Sequence, residues 1–336
     1  MSHPRMPLRL RSDHLSMAAC AVTLALGCSG TAAAPEPVKI PPTPSAVFSP
    51  VGLEAAGLAS MRLHATARGT RLEGVSSAET LREKLSSGLS GVTHLDLAGY
   101  GFGPEIGRVL ADAPMPESVV ALDVSDNALG PSGLVALLGA PFVSRLRHLD
   151  LGGNGLQTEG LKALLASTRL TKLRVLFLNA NDIPGAAIPE LSVNPWLSSL
   201  EVLDLTMNPM GPEGAKALGS APNTCRWLAL FLLGCGIGPD GARALANGKA
   251  WNDLVVLSLG GNALGDSGAE AIAVSTRFPK LGTLDMAADS ITDEGAAAIA
   301  QSLSPHTIAS LDLLGNPLTD EGHGALKARF GSRVRF

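Results

Sequence analysis

The chain has 336 residues, a formal net charge of -4 and 38 glycines; 46% of its residues are hydrophobic but only 4% aromatic. A slightly acidic chain without a basic run has no general attraction for phosphate backbones, which argues against nucleic acid as a partner. So few aromatics predict a core of Leu, Val, Ile and Ala with recurrent small-residue contacts, which suits regular stacking better than one irregular core. At the start, Arg5, Arg9 and Arg11 precede an apolar run over 15–26. That run suits the hydrophobic stretch of a signal peptide and is too short to span a bilayer. Residues 29–50 contain Pro35, Pro37, Pro41, Pro42, Pro44 and Pro50, so an extended tether in polyproline II conformation is expected there.

The apolar run ends Leu24, Ala25, Leu26, Gly27, Cys28. This resembles the bacterial lipoprotein signal, in which small residues precede a cysteine that is lipidated and becomes the mature N-terminus. Two features depart from that pattern: Ala25 stands where leucine is usual, with Leu24 one place earlier, and Asp13 lies close to the apolar run. Three fates stay open, namely lipidation of Cys28, cleavage further on, and an unprocessed tail. The resemblance implies the first, with a signal peptide over 1–28, a tether over 29–50, export, and a membrane-anchored place in the bacterial cell envelope. The membrane would be reached through the lipid anchor only. Cys225 and Cys235 remain in the body, near opposite ends of one predicted strand. Ten positions at about 3.3 Å each hold their Cα atoms beyond the roughly 7 Å limit for a disulfide, so two free thiols are expected.

A repeat dominates the rest of the chain. Its cleanest copy is Leu146, Leu149, Leu151, Asn154 and Leu156, followed by Gly160 and Leu164. The asparagine position recurs every 27 residues at Tyr100, Asn127, Asn154, Asn181, Asn208, Cys235, Asn262, Asp289 and Asn316. Five places earlier stand Leu95, Leu122, Leu149, Leu176, Leu203, Leu230, Leu257, Leu284 and Leu311. Two places later stand Phe102, Leu129, Leu156, Ile183, Met210, Ile237, Leu264, Ile291 and Leu318. Alternate leucines predict a short strand with one inward face, and the asparagine can hydrogen-bond backbone that would otherwise be buried unpaired. Cys235 and Asp289 are modest departures; Tyr100 marks the first copy as atypical.

This pattern resembles the leucine-rich repeats of the ribonuclease-inhibitor-like class over residues 92–330. The resemblance implies an α/β solenoid, a curved horseshoe of nine 27-residue strand-helix repeats with a parallel sheet on its concave face. Helix starts are marked by Gly-Pro or Thr-Asp, as at Pro131, Pro212, Pro239, Thr292 and Thr319, with acidic residues such as Glu159 and Glu213 in the first turn. Gly133, Gly160, Gly214 and their periodic equivalents let neighbouring helices approach. The fourth copy has Ala187 at that place and crowds its helix with Pro184 and Pro189, so a local distortion is expected. Residues 51–91, with Val75 and a helix over 78–87, are read as an N-terminal cap. Residues 331–336, with Phe330 before them, are read as a C-terminal one.

Catalytic constellations are missing from the sequence. It has no His-Glu-x-x-His, no Cys-x-x-Cys, no Gly-x-Ser-x-Gly and no Walker-type loop, so no metal, no cofactor and no enzymatic role are expected. Asp96, Asp123, Asp150, Asp204, Asp285 and Asp312 share one outward strand position. They could form an acidic stripe for a basic partner or a cation, or simply follow the Leu-Asp-Leu habit of the repeat class. Phe177 and Phe231 interrupt the series on either side of Asp204, and Val175, Val202, Val256 and Leu233 are expected on neighbouring outward positions. An exposed apolar patch with acidic borders is therefore predicted, with Phe177, Phe231, Leu233, Asp204, Val175 and Val202 as its binding residues. These features point to a monomeric envelope protein that binds a protein partner through its concave face. Two other readings are a regulator of an enzyme, resembling GTPase activators or ligase adaptors, and a self-associating structural envelope component.

Overall fold

By its internal contacts the chain divides into Met1–Thr43 and Pro44–Phe336. The computed structural model describes residues 69–222 and 225–336. The expected signal segment 1–28, the tether 29–50 and residues 51–68 of the expected cap lie outside the described residues.

The leucine period produces strands of three residues or fewer, in chain order β1 (Thr70–Arg71), β2 (His94–Asp96), β3 (Ala121–Asp123), β4 (His148–Asp150), β5 (Val175–Phe177) and β6 (Val202–Asp204), then β7 (Ala229–Phe231), β8 (Val256–Ser258), β9 (Thr283–Asp285), β10 (Ser310–Asp312) and β11 (Val334–Arg335). All eleven pair in parallel with their sequence neighbours. The register places each central leucine beside the next, as in Leu149, Leu176 and Leu203. Because successive side chains alternate, these leucines all point to the helix side and are buried, while the flanking residues point away from it.

The crossovers carry helices α1 (Ala78–Ser86), α2 (Glu105–Asp112), α3 (Gly130–Gly139), α4 (Gln157–Ala166), α5 (Ile188–Ser192), α6 (Gly211–Gly219), α7 (Gly238–Ala246), α8 (Gly265–Val274), α9 (Asp293–Ser302) and α10 (Asp320–Phe330). Strands stack at about 4.8 Å whereas packed helices need about 8–10 Å, so the stack must curve with its sheet inside. Glycine keeps the helix spacing short. A Cβ on Gly107 would come within 2.0 Å of the Gly133 carbonyl oxygen, so only glycine allows α2 and α3 to meet as they do.

In the fourth copy Pro184 adopts an extended backbone and the chain makes a 3-10 turn over Gly185–Ala187 before the five-residue α5. That is the expected distortion, and Gly185 takes over the close approach, since its Cβ would lie 2.0 Å from the Met210 carbonyl oxygen. Nearby, Trp196, Asn194, Thr171 and Leu165 line a groove of about 430 Å³. Further along, Trp227, Trp251 and Phe278 stack through the core at centroid separations of 5.7 and 6.1 Å.

Behind the strands runs a ladder of buried side chains. Asn154 shows the rule: its Oδ1 accepts from the backbone N–H of Asn127 and Leu129, and its Nδ2 donates to the carbonyls of Val124 and Leu151 at 3.0 and 2.9 Å. Each rung thus satisfies backbone of its own turn and of the turn before it. Cys225 and Cys235 are buried free thiols.

Both ends of the repeat array are covered by further elements. At the N-terminal end β1 precedes α1 and pairs with β2. Ser77 and Thr80 form a capping box at the start of α1. Tyr100 departs from the ladder because it faces this unit: its hydroxyl donates to the Leu72 carbonyl at 2.9 Å, and the Arg71 guanidinium lies 4.6 Å from its ring centre. At the other end β11 pairs with β10, and Phe330 and Val334 are buried.

Candidate binding face

The face of the sheet away from the helices is built from the first and third residues of every strand. The pairings align Val175, Val202, Ala229 and Val256 in one row and Phe177, Asp204, Phe231 and Ser258 in the next. Phe177 and Phe231 therefore flank Asp204 as the sequence predicts. His148 meets the Phe177 ring edge-on at 5.1 Å.

Exposure is where expectation and structure part. Val175, Val202, Asp204 and Phe231 keep only 4, 2, 3 and 3% of their surface accessible. With Ala229 and Val256 they form a second apolar cluster, separate from the main core. Only Phe177 and Leu233 of the predicted binding residues are half-buried rather than buried. Leu233 also lies beyond the end of β7, in the following turn, where its carbonyl accepts from Met207 N–H at 2.8 Å. The centre of this face is thus a secluded apolar floor, not the open patch the sequence pattern suggests.

The aspartate row has a structural account that composition does not reveal. In Asp96, Asp123, Asp150, Asp204, Asp285 and Asp312, one carboxylate oxygen accepts from the backbone N–H two residues later, at 2.8–3.0 Å. Each aspartate thereby closes the turn that leaves its strand. A strand-ending Asp two places before a turn residue was the available signal for this role. Charge follows burial: desolvation raises Asp123, with repulsion from Asp96 and Asp126 adding to it, and raises Asp150 well above the usual carboxylate range, with repulsion from Asp123 adding to it. Burial pushes Asp204 up to about 6 against its hydrogen bonds from Thr206. Desolvation also raises Asp285, although the Ser258 hydroxyl donates to it at 2.6 Å. At the two edges the row is neutralised, since Arg71 pairs with Asp96 and Arg335 with Asp312, both at 3.3 Å.

Among the described residues no group of three or more His, Cys, Asp or Glu side chains could hold a metal ion. No helix among them is long and apolar enough to cross a membrane.

Four segments, residues 117–138, 145–165, 197–219 and 252–273, match the family model described as Leucine Rich repeat. Domains of this kind generally mediate protein–protein interaction. Comparison with curated proteins finds no match. Among solved structures, the "Crystal structure of Rad7 and Elc1 complex in yeast" is similar at 15% identity, covering 73% of this chain and 69% of that one, with a TM-score of 0.47. Parallel strands in sequence order, the buried ladder and the matched segments make this chain an α/β leucine-rich-repeat solenoid.

Proposed function

We propose that this protein is a recognition module of the bacterial cell envelope, exported and lipid-anchored through Cys28, that binds a protein partner on its concave face. Its repeats are read as ribonuclease-inhibitor-like, and it works as a monomer without a cofactor or a catalytic step. The observation that carries this reading is the concave face itself, where an apolar centre meets an acidic row on β3 and β4 for which no salt bridge is found among the described residues. Apolar centres with polar rims match interface anatomy. Phe177, Leu233, Asp123 and Asp150 form the accessible part of the contact surface; Phe231, Val175, Val202 and Asp204 form the floor beneath it.

The test is affinity capture from a detergent extract of the native envelope, with the full chain as bait beside a Phe177→Asp, Leu233→Asp double variant. A protein recovered by wild type alone supports the reading. Equal recovery by both removes the site from this face, and recovery by neither removes the recognition role. Intact mass of the purified chain tests the anchor: a diacylglyceryl group on Cys28, lost in Cys28→Ser, is expected. An unprocessed chain would overturn the envelope assignment and favour regulation of an intracellular enzyme.

A further inference from the structure

We propose that the groove beside Trp196 is a second binding site, away from the concave face, that takes an acidic peptide segment of a protein partner with a large apolar side chain among its acids.

The groove arises from one break in the repeat. On the way back from helix to strand, the second and fourth copies make 3-10 turns over Pro141–Arg145 and Pro195–Ser199, each begun by its proline. The third copy has Thr168 at that place and returns through an irregular loop over 167–172. Phe142 of the second copy is buried, whereas Trp196 at the same place in the fourth stays half-buried. Between its turn and the irregular loop opens the cavity of about 430 Å³, within the size range of sites that hold a ligand. Its walls are tied together: Asn194 Nδ2 donates to the Leu165 carbonyl at 2.9 Å, and Asn194 Oδ1 accepts from the Trp196 backbone N–H at 3.3 Å. A groove held open in this way does not have to be ordered by its occupant.

The lining selects the occupant. Trp196, Leu165 and Leu170 offer an apolar surface, and tryptophan is the residue type most favoured at the centre of protein contacts. Thr168, Thr171 and Ser198 put hydroxyls on both walls. An acyl chain would strip water from those hydroxyls and return no hydrogen bond, whereas a peptide carries an N–H and a carbonyl at every residue. Charge gives the sign. Residues 165–172 and 194–199 hold Arg169 and Lys172 and no acid, in a chain whose net charge is -4. Both cations are exposed and neither has a salt bridge among the described residues, while Glu201, the acid nearest in sequence, is paired with Arg174 at 3.6 Å. Acids on the ligand would find these two cations beside an apolar slot.

The inference does not rest on the concave-face reading. Its test selects peptides from a displayed random library on the purified full chain. Enriched sequences are expected to place Asp or Glu beside Leu, Phe or Trp. Those without tryptophan, made synthetically, should shift the emission of Trp196, since Trp227 and Trp251 are buried. Trp196→Ala should abolish binding. Arg169→Glu, Lys172→Glu changes exposed side chains only and should weaken binding by about tenfold or more. No enrichment, enrichment of sequences without acids, or unchanged binding by the charge variant overturns the proposal. A Trp196 shift with dodecanoate but with no enriched peptide gives the groove to an anionic amphiphile and overturns it as well. Phe177→Asp, Leu233→Asp should bind the enriched peptides as wild type does, so failure of the concave site and failure of this one are separate results.

Discussion

The two halves of the ladder perform the same task with different chemistry. From Asn127 to Asn208 four successive rungs are asparagine, and amide oxygen and nitrogen each meet backbone across the turn. From Cys235 to Asn316 every second rung departs. The Cys235 Sγ still donates to the Leu205 carbonyl at 3.2 Å but offers the preceding turn no matching acceptor. Met210 N–H therefore folds back onto the Asn208 carbonyl at 2.7 Å. Leu318 N–H makes the same bond to Asn316 at the last rung, where no repeat follows, so Cys235 acts as an internal end of the ladder. Asp289 fails in the opposite way: its Oδ1 accepts from Asn262 N–H at 2.6 Å, while its Oδ2 is buried without a hydrogen-bond partner. That second oxygen stands where the other rungs carry a donating NH2. Burial pushes Asp289 up to about 8, so at neutral pH it holds a proton that can take the place of the amide hydrogen. A rung must both accept and donate, and the second half supplies only part of that at two positions.

The largest effect is expected from breaking the intact half. Asn154→Ala strands the buried N–H groups of Asn127 and Leu129. At about 1–3 kcal/mol for each unsatisfied buried group, it should cost about 3 kcal/mol or more, read as a lower urea midpoint at unchanged slope. An unchanged midpoint would show that the ladder does not support the fold.

Next come two substitutions that exchange the halves, and both depend on pH. The raised Asp289 binds its proton in the folded chain between about pH 4 and pH 8 while the unfolded chain has released it, so its contribution to stability is lost as pH rises through that window. Asp289→Asn should therefore stabilise most at pH 8 and by progressively less toward pH 4. Asn181→Asp, which places the acid in the intact half, should destabilise by a similar amount at pH 8 and recover on acidification. Parallel stability profiles of wild type and Asp289→Asn across pH 4–8 would contradict the assignment. The smallest effect belongs to Cys235→Asn, which should gain about 1 kcal/mol by returning an acceptor to Met210 N–H. Thermal unfolding with both proteins at one pH would resolve it, and a loss of stability would mean that the thiol site is too tight for an amide.

Most of the solenoid was legible because a period records what each side chain packs against. Leu149 and Asn154 recur because every turn meets an identical turn, and the same logic predicted the distortion at Pro184 and Pro189. What lacked a repeat was not legible. The strand β1 is two residues, Thr70 and Arg71, with neither the central leucine nor a rung to mark it. The exposure of Phe231 was misjudged because alternation gives the direction of a side chain but not what stands above it. Asp204 looked like a contact residue, whereas its oxygen closes a turn, a task that follows from local backbone rather than from the row it belongs to.

The two edge strands carry a consequence for how molecules meet one another. Eleven parallel strands in register have the stacking geometry of a fibril, and an open edge of that kind invites another chain to continue it. Here each edge is only two residues long and places an arginine, Arg71 or Arg335, across from the outermost aspartate. A second molecule arriving end to end finds too little backbone to grip and a charged side chain beside it. Edges so short and so charged disfavour end-to-end addition of a strand.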